Sequence, residues 1–151
     1  MKNKIIVLLI FHSLISASLF SQNEHKVRFD GMYIAKTGEI NAGETKMEIY
    51  TYVRFYDDGT VYMQTVNEYN PTSVSKWFGK NGTFSKMGKF EIENDKISFM
   101  TSNDNTLDKK LLGKRSIDFS GKIVNDKKLI LNLVYVDSEI KDTLFEFATL
   151  N

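Results

Sequence analysis

The sequence contains no cysteine, a single proline and only nine glycines among its 151 residues. The absence of cysteine excludes disulfide-stapled scaffolds, thiolate metal sites and cysteine nucleophiles. Lysine plus arginine total 20 and aspartate plus glutamate total 19, so neither sign of charge predominates. This balance argues against a nucleic-acid-binding domain. The local cluster of basic residues within 109–115 is offset by acidic residues elsewhere, so we expect it to form a solvent-exposed face. Two histidines, His12 and His25, are too few for a typical catalytic zinc site.

Motifs of covalent and phosphate chemistry are also missing. The sequence has no Gly-x-Ser-x-Gly motif and no glycine-rich phosphate loop. The pair Asp57-Asp58 is typical of a hairpin turn rather than a calcium site. Carboxylates such as Glu91 and Glu93 leave a glycosidase-like pair open, although no motif supports it. We therefore expect a protein that is not an enzyme and uses neither a metal nor a cofactor.

The first 21 residues have the three-part layout of a secretory signal peptide. Two lysines precede a continuous apolar run over residues 5–11, and small residues follow it. Cleavage after Ser18 or after Ser21 fits this layout equally well, whereas an uncleaved anchor or a buried N-terminal strand is the alternative. No later segment reaches membrane-spanning length. The sequence thus predicts export, a secreted or periplasmic location, and one mature domain over residues 22–151.

The mature chain shows the period-two alternation of β-strands, separated by turn sequences such as Asn94-Asp95. Strands at roughly ten-residue intervals predict an all-β fold, an antiparallel up-and-down barrel of about eight strands with one short helix. An open sandwich is the alternative. Residues 38–45 are expected to form a loop. The alternation is clearest over residues 46–66, 96–101, 115–123, 128–136 and 143–149.

The best-defined hairpin has Asp57-Asp58-Gly59 at its tip. A three-residue loop gathers four apolar side chains onto one face, whereas a two-residue loop pairs Arg54 with Met63. We predict the three-residue loop, with Gly59 in the left-handed conformation that follows a type I turn. The apolar face then carries Val53, Phe55, Val61 and Met63, and the opposite face carries Tyr50, Tyr52, Arg54, Tyr56, Tyr62 and Gln64.

One segment has helical signals. Asn70 suits an N-cap, Pro71 suits the first turn, and Gly79 suits a C-terminal stop. Between them lies a stripe with the spacing of one buried helix face, which predicts a helix of about two turns. Its members are Val74, Trp77 and Phe78.

Short motifs in the mature chain carry a family resemblance. The stretch Phe29-Asp30-Gly31-Met32-Tyr33 has a Gly-x-aromatic strand start, and residues 52–61 form a strand-turn-strand. Both are similar to lipocalin-like (calycin) barrels, and some F-box proteins have a comparable C-terminal stretch. The Trp77 helix and Phe145-Glu146-Phe147 suit the same pattern. The family's usual tryptophan is Tyr33 here, and its Thr-Asp-Tyr motif and paired cysteines are absent. The resemblance implies a barrel with a cavity for an apolar ligand.

The polar face of the hairpin is the candidate site. If that face lines the barrel, Arg54 must be paired or must bind an anion, because an isolated buried charge is costly. A guanidinium with a phenol hydroxyl would hold a ligand carboxylate. Alternatively, Arg54 lies outside, with its stem over tyrosine rings. The candidate ligand-binding residues are Tyr52, Arg54, Tyr56, Tyr62, Gln64, Trp77 and Arg115.

Two functions remain open from the sequence. The first is an exported, non-catalytic protein that binds a small, partly apolar or amphiphilic ligand in the barrel. The second is a protein-interaction or envelope-associated module whose barrel is packed and holds no ligand, since the apolar residues suffice to fill a small barrel. A hydrolase comes last, because no motif supports it.

Overall fold

The structure, a computed structural model, describes residues 26–78, 86–102 and 116–150. The predicted signal peptide, Gly79 and Arg115 lie outside these residues. The described ranges contain eight strands and one helix: β1 (Gly31–Ala42), β2 (Thr45–Phe55), β3 (Thr60–Val66), α1 (Pro71–Ser75), β4 (Lys86–Glu93), β5 (Lys96–Ser102), β6 (Ile117–Asn125), β7 (Lys128–Val134) and β8 (Glu139–Thr149).

The strands form one closed antiparallel barrel. Each strand pairs with the next in sequence order, and β1 pairs with β8 through residues such as Tyr33 opposite Phe147. The predicted all-β, up-and-down, eight-stranded barrel with one short helix is confirmed, and the arrangement is compatible with a lipocalin-like fold. Within the described part of the chain, no helix has the length and apolar character needed to cross a membrane.

The two ends of the barrel differ. The turns β2–β3, β4–β5 and β6–β7 meet at one end, which we call the closed end. There Val27, in the segment that precedes β1, is buried in the core. The hydroxyl of Tyr33 accepts from the backbone N–H of Arg28 (2.9 Å) and donates to the carbonyl of Asp126 (2.8 Å). We call the opposite end, with the β1–β2 and β7–β8 turns, the mouth.

Aromatic rings fill the interior above the closed end. Phe55 makes edge-to-face contacts with Tyr33, Phe90 and Phe99 at centroid distances of 5.7, 5.0 and 5.5 Å. Phe99 stacks on Phe119 at 4.4 Å. Because these rings are buried or partly buried within one core cluster, the lower part of the barrel is packed side chain rather than cavity.

The β2–β3 hairpin has the predicted register. Val53 lies opposite Met63 and Phe55 opposite Val61, as a three-residue loop requires. Gly59 has φ of 79°, the left-handed conformation that was expected. Because the four apolar residues are buried in the main core cluster, this face of the hairpin is the interior of the barrel.

The expected loop over residues 38–45 is wrong, because both strands continue through it. They form the β1–β2 ribbon, residues 38–49, which ends in a tight turn where Gly43 has φ of 64°. In the described pairing β8 reaches only Ile34 on β1, and β3 begins on β2 at Tyr50, so the ribbon projects beyond the mouth. Solvent reaches both of its faces, which removes the alternation that marks a half-buried strand.

The helix is shorter than predicted. Asn70 is the N-cap, and its Oδ1 accepts from the backbone N–H of Ser73 at 3.0 Å. After Ser75 the chain tightens into i to i−3 hydrogen bonds, so the following residues leave the helical stripe. Val74 and Phe78 are buried as expected, whereas Trp77 is 40% exposed, and its predicted burial is wrong.

Tyr33 makes stability sensitive to alkaline pH. Burial raises the pKa of Tyr33 from 10.0 to about 12, with a smaller opposing effect of its hydrogen bond to Arg28. An unfolded tyrosine ionises near pH 10, so the stabilisation from neutral Tyr33 is complete below about pH 10 and is lost towards pH 12. We expect urea titrations to show a steeper fall of the unfolding free energy across this window in the wild type than in Tyr33→Phe. Equal slopes would contradict the assignment.

Candidate functional site

The polar face of the hairpin lies outside the barrel. Since Val53 and Phe55 point inwards, Tyr52, Arg54 and Tyr62 point outwards, where the helix segment covers part of them. Tyr52 and Tyr62 belong to a second buried cluster with Val74 and Phe78. Of the two arrangements that the sequence left open for this face, the outer one is therefore present. The face carries apolar as well as polar surface because Val74 of α1 and the following Phe78 pack against its tyrosines.

Tyr52 positions the β3–α1 connection. Its side chain is fully buried, and its hydroxyl donates to the carbonyl of Glu68 (2.8 Å) and accepts from the backbone N–H of Asn70 (2.9 Å). Burial raises the pKa of Tyr52, and the hydrogen bond from Asn70 opposes part of that rise. Both hydrogen-bonding functions of the hydroxyl are used within the fold, so its role is structural.

Arg54 takes the outer arrangement that the sequence left open. Its guanidinium carbon lies 5.0 Å from the centroid of the Tyr56 ring, and Tyr56 contacts the Tyr62 ring at 5.4 Å. The Nε atom is buried and has no hydrogen-bond partner among the described residues. The Tyr56 hydroxyl donates to the carbonyl of Phe78 at 3.2 Å. This cation–aromatic contact lies outside the barrel, so no ligand carboxylate is held by Arg54 in the interior.

The mouth of the barrel contains a cavity of about 580 Å³. Of the predicted binding residues, Gln64 lines it; Trp77 lines a neighbouring cleft, and Arg115 lies outside the described residues. The cavity lies at the end of the barrel opposite the buried Val27. Its lining residues are Met63, Gln64, Thr65, Lys86, Ser116, Ile117, Tyr135, Val136, Asp137 and Ser138.

A network of threonine hydroxyl groups reaches this cavity at Thr65. The Thr51 hydroxyl is 2.8 Å from that of Thr37 and 3.2 Å from that of Thr65. Burial raises the pKa of Tyr135, and the Thr51 hydroxyl opposes part of that rise. The Tyr135 phenol is therefore neutral at physiological pH. Its backbone N–H donates to the carbonyl of Ser138 at 2.8 Å, which holds the β7–β8 turn at the rim.

Apolar side chains form the floor beneath these hydroxyls. Met63 belongs to the buried core, and so does Ile117. Thr101, directly opposite Ile117 in the sheet, is fully buried, and its hydroxyl has no partner among the described residues. An unsatisfied buried hydroxyl costs about 1–3 kcal/mol. The mouth thus combines an apolar floor with polar walls, which suits an amphiphilic molecule.

The sequence did contain a signal for this site. Thr51 and Thr65 occupy inward positions of the same hairpin register that places Val53 and Met63 in the core. Threonine is a common strand residue, so its presence alone marked nothing. Extending the predicted register towards the mouth would have placed hydroxyl groups inside the barrel.

No protein-family model matches this chain, and no solved structure matches it. In the ranges 26–78, 86–102 and 116–150, no group of three or more acidic or histidine side chains is placed to hold a metal ion. The barrel and the cavity at its mouth are therefore the features that bear on function.

Proposed function

We propose that this protein is an exported, non-catalytic, lipocalin-like binding protein that takes a small amphiphilic ligand at the mouth of its barrel. The observation that carries the proposal is the cavity of about 580 Å³ with hydroxyl walls over an apolar floor. Its volume falls within the range of about 300–1,000 Å³ typical of small-molecule sites. The eight-stranded barrel and the signal-peptide pattern of residues 1–21 support the same assignment.

The lining indicates how the ligand is oriented. Met63 and Ile117 offer apolar contact, whereas Thr65, Ser116 and Tyr135 offer hydroxyl groups to a polar head. Lys86 and Asp137 carry opposite charges in the lining of the same cavity, which favours a head without net charge. Because aromatic rings fill the barrel below, the ligand is held at the rim rather than deep inside.

The same lining supports binding without turnover. Asp137 is the one carboxylate among the described lining residues, and the lining contains no histidine. General acid–base hydrolysis of glycosides uses a pair of carboxylates that flank the scissile bond. Glu91 and Glu93 lie exposed on β4 and do not line this cavity.

Tyr135→Phe provides a direct test. We expect isothermal titration calorimetry to show saturable binding of octyl glucoside below its micelle concentration, because its neutral head matches the hydroxyl wall. Loss of the Tyr135 hydroxyl should weaken binding about tenfold, the equivalent of one hydrogen bond of about 1.4 kcal/mol. Tyr69→Phe is the matched control, since Tyr69 is exposed outside the mouth and should leave the affinity unchanged.

The proposal is wrong if neutral amphiphiles fail to bind, or if both phenylalanine variants bind like the wild type. Failure to bind would favour the second candidate, a protein-interaction or envelope-associated module. That candidate draws support from the packed aromatic core and from the β1–β2 ribbon, whose outer edges have no strand partner in the described pairing. An unpaired strand edge is a common site for a partner's strand.

A further inference from the structure

We infer that the apolar tail of the ligand leaves the mouth over the end of β3 and lies in a second cleft beside Trp77. The inference rests on the proposed function and narrows the ligand class to amphiphiles with a linear alkyl tail. Such a ligand places its polar head in the mouth and its tail outside the barrel. The barrel interior contributes the floor of the head site only.

The second cleft has a volume of about 610 Å³ and adjoins the mouth cavity. Gln64 and Thr65 line both spaces, so the end of β3 is their common wall. A molecule that crosses this wall occupies both spaces without any opening of the barrel. The remaining lining residues of the cleft are Ile49, Val66, Asn67, Glu68 and Trp77.

The cleft is the more apolar of the two spaces. Trp77 presents a large ring that is 40% exposed, and Ile49 and Val66 are partly buried beside it. Met47 extends the apolar side of the ribbon here, with its Sδ 3.5 Å from the amide nitrogen of Asn67. Exposed apolar surface at the rim of a polar cavity is typical of a binding groove.

The walls of the cleft are fixed before any ligand binds. Tyr52 holds both Glu68 and Asn70 through its buried hydroxyl. The Glu68 carboxylate also accepts from the Asn70 side-chain amide at 3.0 Å. A site whose walls are already ordered loses less entropy on binding. The β3–α1 connection therefore presents a formed groove to an incoming chain.

The size of the cleft favours an alkyl tail over a protein partner. Stable protein interfaces bury about 800 Å² on each partner, which a groove lined by a few residues does not provide. Its continuity with the hydroxyl-lined mouth also points to one molecule that has both a polar and an apolar part. A second copy of this chain, or a peptide, would occupy the cleft without filling the mouth cavity.

A homologous series of alkyl glucosides tests the inference, because the head stays constant while the tail grows. From butyl to octyl glucoside we expect the affinity to rise about fourfold for each added methylene. This factor corresponds to about 0.8 kcal/mol of binding free energy for each CH₂ that is buried. Trp77 is the single tryptophan of the chain, so its emission reports on the cleft alone. Its emission should shift to shorter wavelength with the octyl compound and stay unchanged with glucose.

Paired threonine substitutions provide the matched control. Ile49→Thr/Val66→Thr makes the cleft polar, and it should flatten the chain-length dependence while leaving binding of the shortest compound intact. Ile92→Thr/Val124→Thr makes the same two chemical changes at exposed positions outside both spaces, and it should bind as the wild type does. Equal urea midpoints show that both variants are folded. A brominated octyl chain should quench Trp77 in the unmodified protein, which requires no variant.

The outcomes separate the two proposals. One outcome is that Tyr135→Phe weakens glucoside binding, while the affinity does not change with chain length and the Trp77 emission does not shift. This outcome overturns the inference about the tail and leaves the proposed function standing. No binding of any glucoside overturns both. A Trp77 shift that follows protein concentration instead of glucoside concentration assigns the cleft to a second copy of the chain, and it likewise overturns the inference.

Discussion

Replacement of Phe55 by alanine will lower the free energy of unfolding by about 3–5 kcal/mol. Phe55 is 0% exposed and lies at the centre of three aromatic contacts, so its removal leaves a cavity that the closed sheet cannot collapse to fill. Small domains have a total stability of about 5–15 kcal/mol. The variant should therefore be close to the limit of folding at room temperature.

Urea denaturation followed by circular dichroism measures this effect. Leu144→Ala is the control, because Leu144 is 45% exposed on the outer face of β8 and should cost no more than about 0.5 kcal/mol. An ordinary substitution lowers the free energy of unfolding by about 1 kcal/mol. If Phe55→Ala is destabilised by no more than this relative to the control, the interior around Phe55 is not closely packed.

Gly121→Ala will have the second-largest effect, about 3 kcal/mol, the upper part of the usual cost of overpacking. Gly121 lies on β6 between β5 and β7. A Cβ at this position would overlap the carbonyl oxygen of Ile130 and would lie 2.9 Å from the Cα of Leu131. Both are backbone atoms of the adjacent strand, so relief requires the β6–β7 ladder to separate.

The same substitution at Gly38 is the control. There the nearest atom to a new Cβ is that of Ile49, at 3.9 Å, and the backbone is not left-handed. Gly38→Ala should be neutral or slightly stabilising, since alanine reduces the entropy of the unfolded chain. Equal urea midpoints for the two alanine variants would show that β6 and β7 are not so closely apposed.

The sequence predicted the barrel because its signals agreed with one another. Alternation in the β2–β3 hairpin selected the register that pairs Val53 with Met63, and the structure has that register. That Gly121 shares a face with Phe119 and Ile123 was also predicted, from the alternation over residues 115–123. Its close approach to Ile130 was not, because that distance depends on how the barrel coils between strands, which no single strand specifies.

The candidate site was harder to predict for a related reason. Alternation states which residues share a face, but it does not state which of two amphipathic faces is enclosed. The hairpin has one face built on Phe55 and another built on Tyr52, and α1 covers part of the second. The polar outer face therefore resembled a binding surface, whereas the hydroxyls of the mouth resembled ordinary strand residues.

The ribbon and Trp77 escaped prediction because of local solvation. Beyond the mouth, β1 and β2 have polar residues on one side, where Lys36 contacts Glu39 and Glu48 at 2.5 and 2.6 Å. A polar stretch without apolar alternation is predicted from sequence to be a loop. Trp77 left its helical stripe because the helix ended at Ser75, and helix ends are the least certain part of a pattern.

The pairing of Gly31 with Thr149 has a consequence for biogenesis. A nascent chain presents β1 to the ribosome exit long before β8 has been translated. In the finished barrel this edge of β1 pairs with β8. Until β8 has been translated, the edge has no partner and the aromatic side chains of the core are only partly buried. Contacts between such distant residues form slowly, and unpaired edges attract other chains. We therefore expect the chain to depend on holding chaperones until β8 is available and the barrel can close.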